Sequence, residues 1–270
     1  MSDIVAALSI PVIRHAFIGM LIAGGTLSLL GVVIVSLHLT AIRFTLMHIG
    51  LLGAAAGMSL GFAPGPGAFA LVLAASVAMG VTGKRFSISA SSVMGLFMTG
   101  SLAAAFLLLA VAGVPAMDVF GVFAGNILLM TRLDLVFVAV LGAAVVTVFV
   151  VAYREIELVL LDDELARALG VPVDLVTAGL FVLVGAGVAA ALRLVGALLV
   201  DAIILLPGIA ALRFARGFGS ALMLSAIFGL IACAGGFLGA LVFDLPIGAT
   251  AAAASTLVLA LSMLLSKLKK

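Results

Sequence analysis

The sequence predicts an all-α, polytopic transmembrane helix bundle, and three observations carry that expectation. Of 270 residues, 66% are hydrophobic and only 9% charged, with a mean hydropathy of +1.51, which leaves too little polar side chain to cover a water-soluble globule. The apolar residues fall in runs of roughly 20, the length needed to cross a hydrocarbon core as a helix. Glycine, proline and charge punctuate those runs.

About 8–9 spans follow in order, within one membrane domain covering residues 1–270. The first four are expected at 14–37, 44–62, 66–83 and 90–113, where the chain between runs carries Arg43, Pro64 and Pro66, and Lys84 and Arg85. Residues 118–131, "DVFGVFAGNILLMT", are too short to cross and predict an interfacial or re-entrant helix. The fifth and sixth spans are expected at 133–153 and 175–192, then 195–213, 218–242 and 247–266, the last ending at the basic "KLKK". An even count with both ends inside would arise if residues 1–20 lay flat on the membrane.

Placement of charge gives the orientation, because cytoplasmic loops carry the excess of lysine and arginine. With the N-terminus outside, inner loops hold Arg43, Lys84, Arg85, Arg154, Arg167, Arg213, Arg216, Lys267, Lys269 and Lys270, whereas Arg14, Arg132 and Arg193 lie outside. The basic tail then meets anionic lipid headgroups. A formal charge of +2, from 13 basic and 11 acidic residues, offers no basic field for nucleic acid. Cys233 stands alone, which excludes an internal disulfide and a CxxC motif. The N-terminus lacks a basic n-region and small-residue cleavage site, so insertion by the first helix itself is expected.

The longest polar interval is 154–174, "REIELVLLDDELARALGVPVD". Asp162 or Asp163 can cap a helix, Leu165, Ala168 and Leu169 share one face at i, i+3 and i+4, and Gly170 followed by Pro172 stops it. That pattern predicts a short amphipathic helix on the inner side, resting on lipid or serving as a knob for a soluble partner.

The stretches "HIGLLGAAAG", "FAGNILLMTRLDLV", "DDELARALGVPV" and "LRLVGALLVDAIILLPGIAALRFARGF" occur in this order. Together they resemble the permease subunit of the manganese, zinc and iron type of ABC importer, over about Phe17 to Leu261. The resemblance implies a homo- or heterodimer of permease subunits in the bacterial inner membrane. It also implies two cytoplasmic subunits that bind ATP and Mg, and an external solute-binding protein. The acidic short helix, here Asp163, Glu164, Leu165, Ala168, Leu169 and Gly170, would be the coupling helix. The chain contains no phosphate-binding loop: no glycine stands at the required position before Gly83-Lys84, and Arg85 replaces the hydroxyl. Hydrolysis is therefore expected in another polypeptide, and no cofactor is expected on this one.

In that family a Gly-Asp-x-x-Ser-His signature near the start of the second span is implicated in the metal pathway. Residues at i and i+4 share a helix face, and a carboxylate with an imidazole suits a divalent first-row ion. Here the segment reads Arg43-Phe44-Thr45-Leu46-Met47-His48, with phenylalanine in place of the carboxylate. His48 can ligate substrate with partners from elsewhere, hydrogen-bond a neighbouring helix, or lie at an exposed cytoplasmic end. Met47 could add a soft thioether; His38 can simply snorkel to the interface.

Asp201 lies deep inside an apolar segment with nothing in its own helix within four residues to neutralise it. An isolated buried carboxylate is costly, so it is protonated, paired or facing water. Pro207 lacks an N–H, frees the Ile203 carbonyl and kinks the helix. Asp201 and His48 are thus the expected substrate and metal residues, acting together from different spans. The alternative for Asp201 is a protonated or hydrogen-bonded packing residue. Gly53, Gly57 and Gly61, with "LVGAGVAAA" and "CAGGFLGA", supply small faces for close helix approach. The competing functional class is an ATP-independent cation- or proton-coupled carrier. A metal chelate or non-metal solute is the alternative cargo.

Overall fold

A computed structural model of the chain describes residues 9–82, 90–115 and 127–268. Among them every regular element is helical: α1 (Pro11–Ser36), α2 (Ile42–Ser59), α3 (Pro64–Thr82), α4 (Ala90–Ala112), a 3₁₀ turn (Ile127–Leu129), α5 (Arg132–Val151), α6 (Tyr153–Leu161), α7 (Asp163–Ala168), α8 (Val173–Val195), α9 (Ala197–Val200), a π-turn (Asp201–Leu205), α10 (Leu206–Leu212), α11 (Phe218–Phe243) and α12 (Ile247–Leu268). Seven of these are long and apolar enough to cross a membrane, and two shorter apolar helices span Pro64–Gly80 and Asp201–Leu212. Each expected span has a helical counterpart displaced by a few residues.

Residues 118–126 of the expected interfacial or re-entrant helix lie outside the described residues, and 127–129 form a single 3₁₀ turn. Two local expectations change. The seventh span is discontinuous: Gly196, at φ +81°, precedes the four-residue α9, which passes directly into the π-turn and α10. The polar interval holds two helices, because Ala152 leaves helical geometry after α5 and the chain restarts as α6. At the opposite end of α5, Thr131 and Asp134 cap reciprocally: the Asp134 amide donates to Thr131 Oγ1 at 3.2 Å and the Thr131 amide to Asp134 Oδ2 at 3.0 Å.

The chain divides into two compact units, one built from Met1–Val35, Asn126–Val151 and Leu194–Lys270, the other from Ser36–Gly125 and Ala152–Arg193. Lipid tails are as apolar as leucine, so the helices of each unit associate by close packing, and small residues make the crossings. In the first unit Gly24 of α1 faces Gly229 and Cys233 of α11, Gly31 faces the Ile204 carbonyl and Gly208, and Gly236 faces Ala251 of α12. The buried Ser225 hydroxyl donates to the Ser28 carbonyl at 2.7 Å, and the Phe17 and Phe237 rings lie 5.1 Å apart. In the second unit Gly53 of α2 meets the backbone of Gly67 and Ala68 in α3, while Leu51, Ala54 and Ala55 pack with Ala105 and Leu109 of α4. Gly80 and Ser76 of α3 meet Ala178 and Gly185 of α8.

Gly61 departs from the packing stripe that Gly53 and Gly57 form. It closes α2 at φ +75°, the Phe62 amide donating to the Gly57 carbonyl at 2.8 Å and the Gly61 amide to Met58 at 3.1 Å. That paired closure needs a left-handed residue, a conformation that costs L side chains about 1–2 kcal/mol.

Candidate permease site

His48 sits in the second turn of α2, half-buried, and its Nδ1 lies 2.6 Å from the Phe44 carbonyl oxygen. A carbonyl only accepts, so this contact is a hydrogen bond in the tautomer with its proton on Nδ1, the one whose Nε2 carries the lone pair. Histidine ligands are commonly oriented in this manner, with the far ring nitrogen held by a backbone carbonyl. Phe44, where the family signature would supply a carboxylate, is 40% exposed, and the Arg43 guanidinium lies 4.5 Å from its ring centroid. Thr45 is fully buried and donates to the Met94 carbonyl at 3.1 Å, fixing α2 to α4 just before His48. The cavity between α2, α3 and α4, about 490 Å³ and lined by residues such as Leu52, Leu71, Ala75 and Phe97, is almost wholly apolar. Such a wall suits no hydrated ion.

Asp201 belongs to the other unit. It is half-buried and opens the π-turn, in which the Leu206 amide donates to the Asp201 carbonyl, five residues back. Pro207, buried, follows immediately. Lacking an N–H, it cannot continue the four-residue ladder, and the widened turn is the local solution, as π-turns commonly are at sites where a ladder is interrupted. The π-turn runs from Asp201 to Leu205, immediately before the helix that contains Pro207. Among the described residues no three His, Cys, Asp or Glu side chains form a group able to hold a metal ion.

A short helix, α7, forms within the stretch where one was expected. Asp162 rather than Asp163 is the cap: its Oδ1 accepts from the Glu164 and Leu165 amides, each at 3.0 Å. Helix α7 ends at Ala168, two residues before the expected Gly170. Gly170, at φ +82°, lets the Val171 amide donate to Ala166 at 2.9 Å and its own amide to Arg167 at 3.0 Å. Asp163, Glu164, Leu165, Ala168 and Leu169 are all exposed, Leu165 by 51% and Leu169 by 62%. Only Ala166 is buried, in a cluster with Val159 of α6 and Val173 of α8. Sequence reasoning missed α6 and the ion pair from Arg167 to Asp174, 2.7 Å long. Opposite charges flanking a Gly-x-Pro turn were the available signal.

The sequence model of the ABC 3 transport family matches residues 9–266. The chain belongs to the ABC 3 transport family. It is accordingly a transport-family, multi-pass protein of the bacterial inner membrane. This ABC 3 family chain is 29% identical over 236 residues to a probable metal transport system membrane protein of Thermotoga maritima, covering 87% of this chain and 83% of the relative. It is 24% identical to the manganese transport system membrane protein MntC of Halalkalibacterium halodurans, over 96% and 89% of the two chains. Its fold is similar to that of PsaBC from Streptococcus pneumoniae, solved in complex with Fab, with a TM-score of 0.82 at 23% identity over 97% of this chain and 94% of that one.

Proposed function

We propose that residues 1–270 form one permease domain of an ATP-driven importer that carries a divalent transition metal, delivered from outside by a solute-binding protein. The family match along nearly the whole chain carries this reading, and relatives named for metal and manganese transport supply the cargo class. The capped knob supports it at the level of residues: a six-residue helix held by buried Ala166, with Leu165 and the following Leu169 exposed, leaves apolar surface for a soluble partner. In this scheme a second permease subunit and two ATP-binding subunits complete the machine, and ATP with its Mg is bound by those partners.

Alternating access then follows. Closure of the ATP-binding subunits presses on α7, the helices rearrange, and the ion passes inward. His48 offers Nε2 to the ion, since its other nitrogen is occupied by Phe44. Asp201 offers a carboxylate from the start of a π-turn in the other unit. Each is proposed as a group on the route, tested separately.

The test is reconstitution in lipid vesicles of the permease with the ATP-binding subunit that copurifies with it. Uptake of manganese that requires ATP is the expected result. Flux driven by a proton gradient without nucleotide would transfer the chain to the carrier class.

A further inference from the structure

A knob that receives a push is useful only if it does not swing. Between α7 and α8 lies the link Leu169-Gly170-Val171-Pro172, and Gly170, in left-handed geometry, is the natural pivot. Three independent restraints act across that pivot. The Val171 amide bonds back to the Ala166 carbonyl at 2.9 Å, folding the link onto the helix it leaves. Ala166, with no exposed surface, is held between Val159 of α6 and Val173 of α8, flanked by Leu158, Val171 and Val176. Arg167 Nη2, in the last turn of α7, donates to Asp174 Oδ1, in the first turn of α8, at 2.7 Å.

The ion pair stands where its charges are also favoured by the two helices, a cation at a C-terminus and an anion at an N-terminus. Its side chains are 42% and 66% exposed, so as a source of stability it contributes little. As a geometric restraint it does something the other two do not: it opposes rotation of α7 about Gly170, because it lies outside the apolar contact and ties the ends together. Beyond α8 the helices continue in close contact at their glycines. Ala178 and Gly185 of α8 meet Gly80 and Ser76 of α3, and Gly67 of α3 meets Gly53 of α2, the helix that carries His48. All of these residues belong to one compact unit.

We propose that Arg167 and Asp174 are positioning residues that lock α7 to α8, so that force on the knob is delivered through α8 and α3 to α2 instead of being absorbed at Gly170. The inference rests on the ATP-driven import reading and deepens it by naming the transmission element. It separates two quantities that a merely structural role would move together, the hydrolysis of ATP and the transport obtained from it.

The experiment uses the reconstituted complex and measures Mn²⁺ taken up per ATP hydrolysed. Arg167→Ala and Asp174→Ala are each expected to lower that ratio roughly two- to five-fold, the range an exposed ion pair can shift an equilibrium. Copurification of the ATP-binding subunit and its hydrolysis rate should stay near wild type. The double variant should be no worse than either single one, and Arg167→Lys should restore most of the ratio. An unchanged ratio in the single variants, or losses that add in the double, overturns the proposal. Absence of ATP-dependent uptake in the wild-type complex would instead remove the import reading itself, and this inference with it.

Discussion

At His48 one hydrogen bond, from Nδ1 to the Phe44 carbonyl, determines what the side chain can do. It ties the ring to its own helix through the backbone of Phe44, so that contact does not depend on a carboxylate at position 44. Glutamine at this position can keep a polar contact but has no imidazole. His48→Gln is therefore expected to raise the manganese concentration for half-maximal uptake roughly 10-fold or more, a loss at least as large as that from removing an outer-shell partner of a metal site. Asp201→Asn preserves size and polarity while removing the ionisable carboxyl group; it should abolish manganese-dependent uptake and leave the complex assembled on size-exclusion chromatography. Normal uptake in both variants would take these two residues off the route.

Among the elements, α7 is the one whose local signals are densest. Six residues are too few to hold a helix by propensity, and the Asp162 cap, the closure at Gly170 and the buried Ala166 together replace length. Asp162→Ala should cost about 1 kcal/mol of local stability, visible as faster amide exchange at Glu164 and Leu165 and as weaker copurification of the ATP-binding subunit. Unchanged exchange would show that the packing of Ala166 alone sustains the turn. The α9–α10 segment makes the opposite case. Its interruption is set by Gly196 on one side and Pro207 on the other, and the π-turn between them presents Asp201 at a point where the backbone ladder is already altered.

Across the whole molecule, close crossings hold each unit, and they account for where glycine is indispensable. A Cβ on Gly53 would collide with the Gly67 backbone, whereas one on Gly95 of α4 would meet nothing within 4 Å. Gly53→Val should destabilise the protein by about 1–3 kcal/mol, read as a lower unfolding temperature in detergent, while Gly95→Ala should be neutral or slightly stabilising. Equal effects would mean that helix propensity, and not the crossing, sets the role of these residues.

The helical membrane architecture was legible in the sequence because hydropathy and backbone satisfaction act locally, run by run. The knob was legible for the same reason: Asp162, Gly170 and Pro172 are chemical instructions read by their immediate neighbours. The π-turn was half legible, since Pro207 announces a broken ladder without saying whether the chain kinks or widens. Which residues share a unit was not legible at all. That His48 and the knob fall in one compact unit and Asp201 in the other depends on how the small faces of α2, α3 and α8 meet, a choice made between segments far apart in the chain. The same holds for the burial of Ala166 and the pairing of Arg167 with Asp174. Composition and spacing tell most of the long helices roughly where to begin and end; only the tertiary structure decides which helix a small face approaches, because that contact energy exists only once both surfaces are in place.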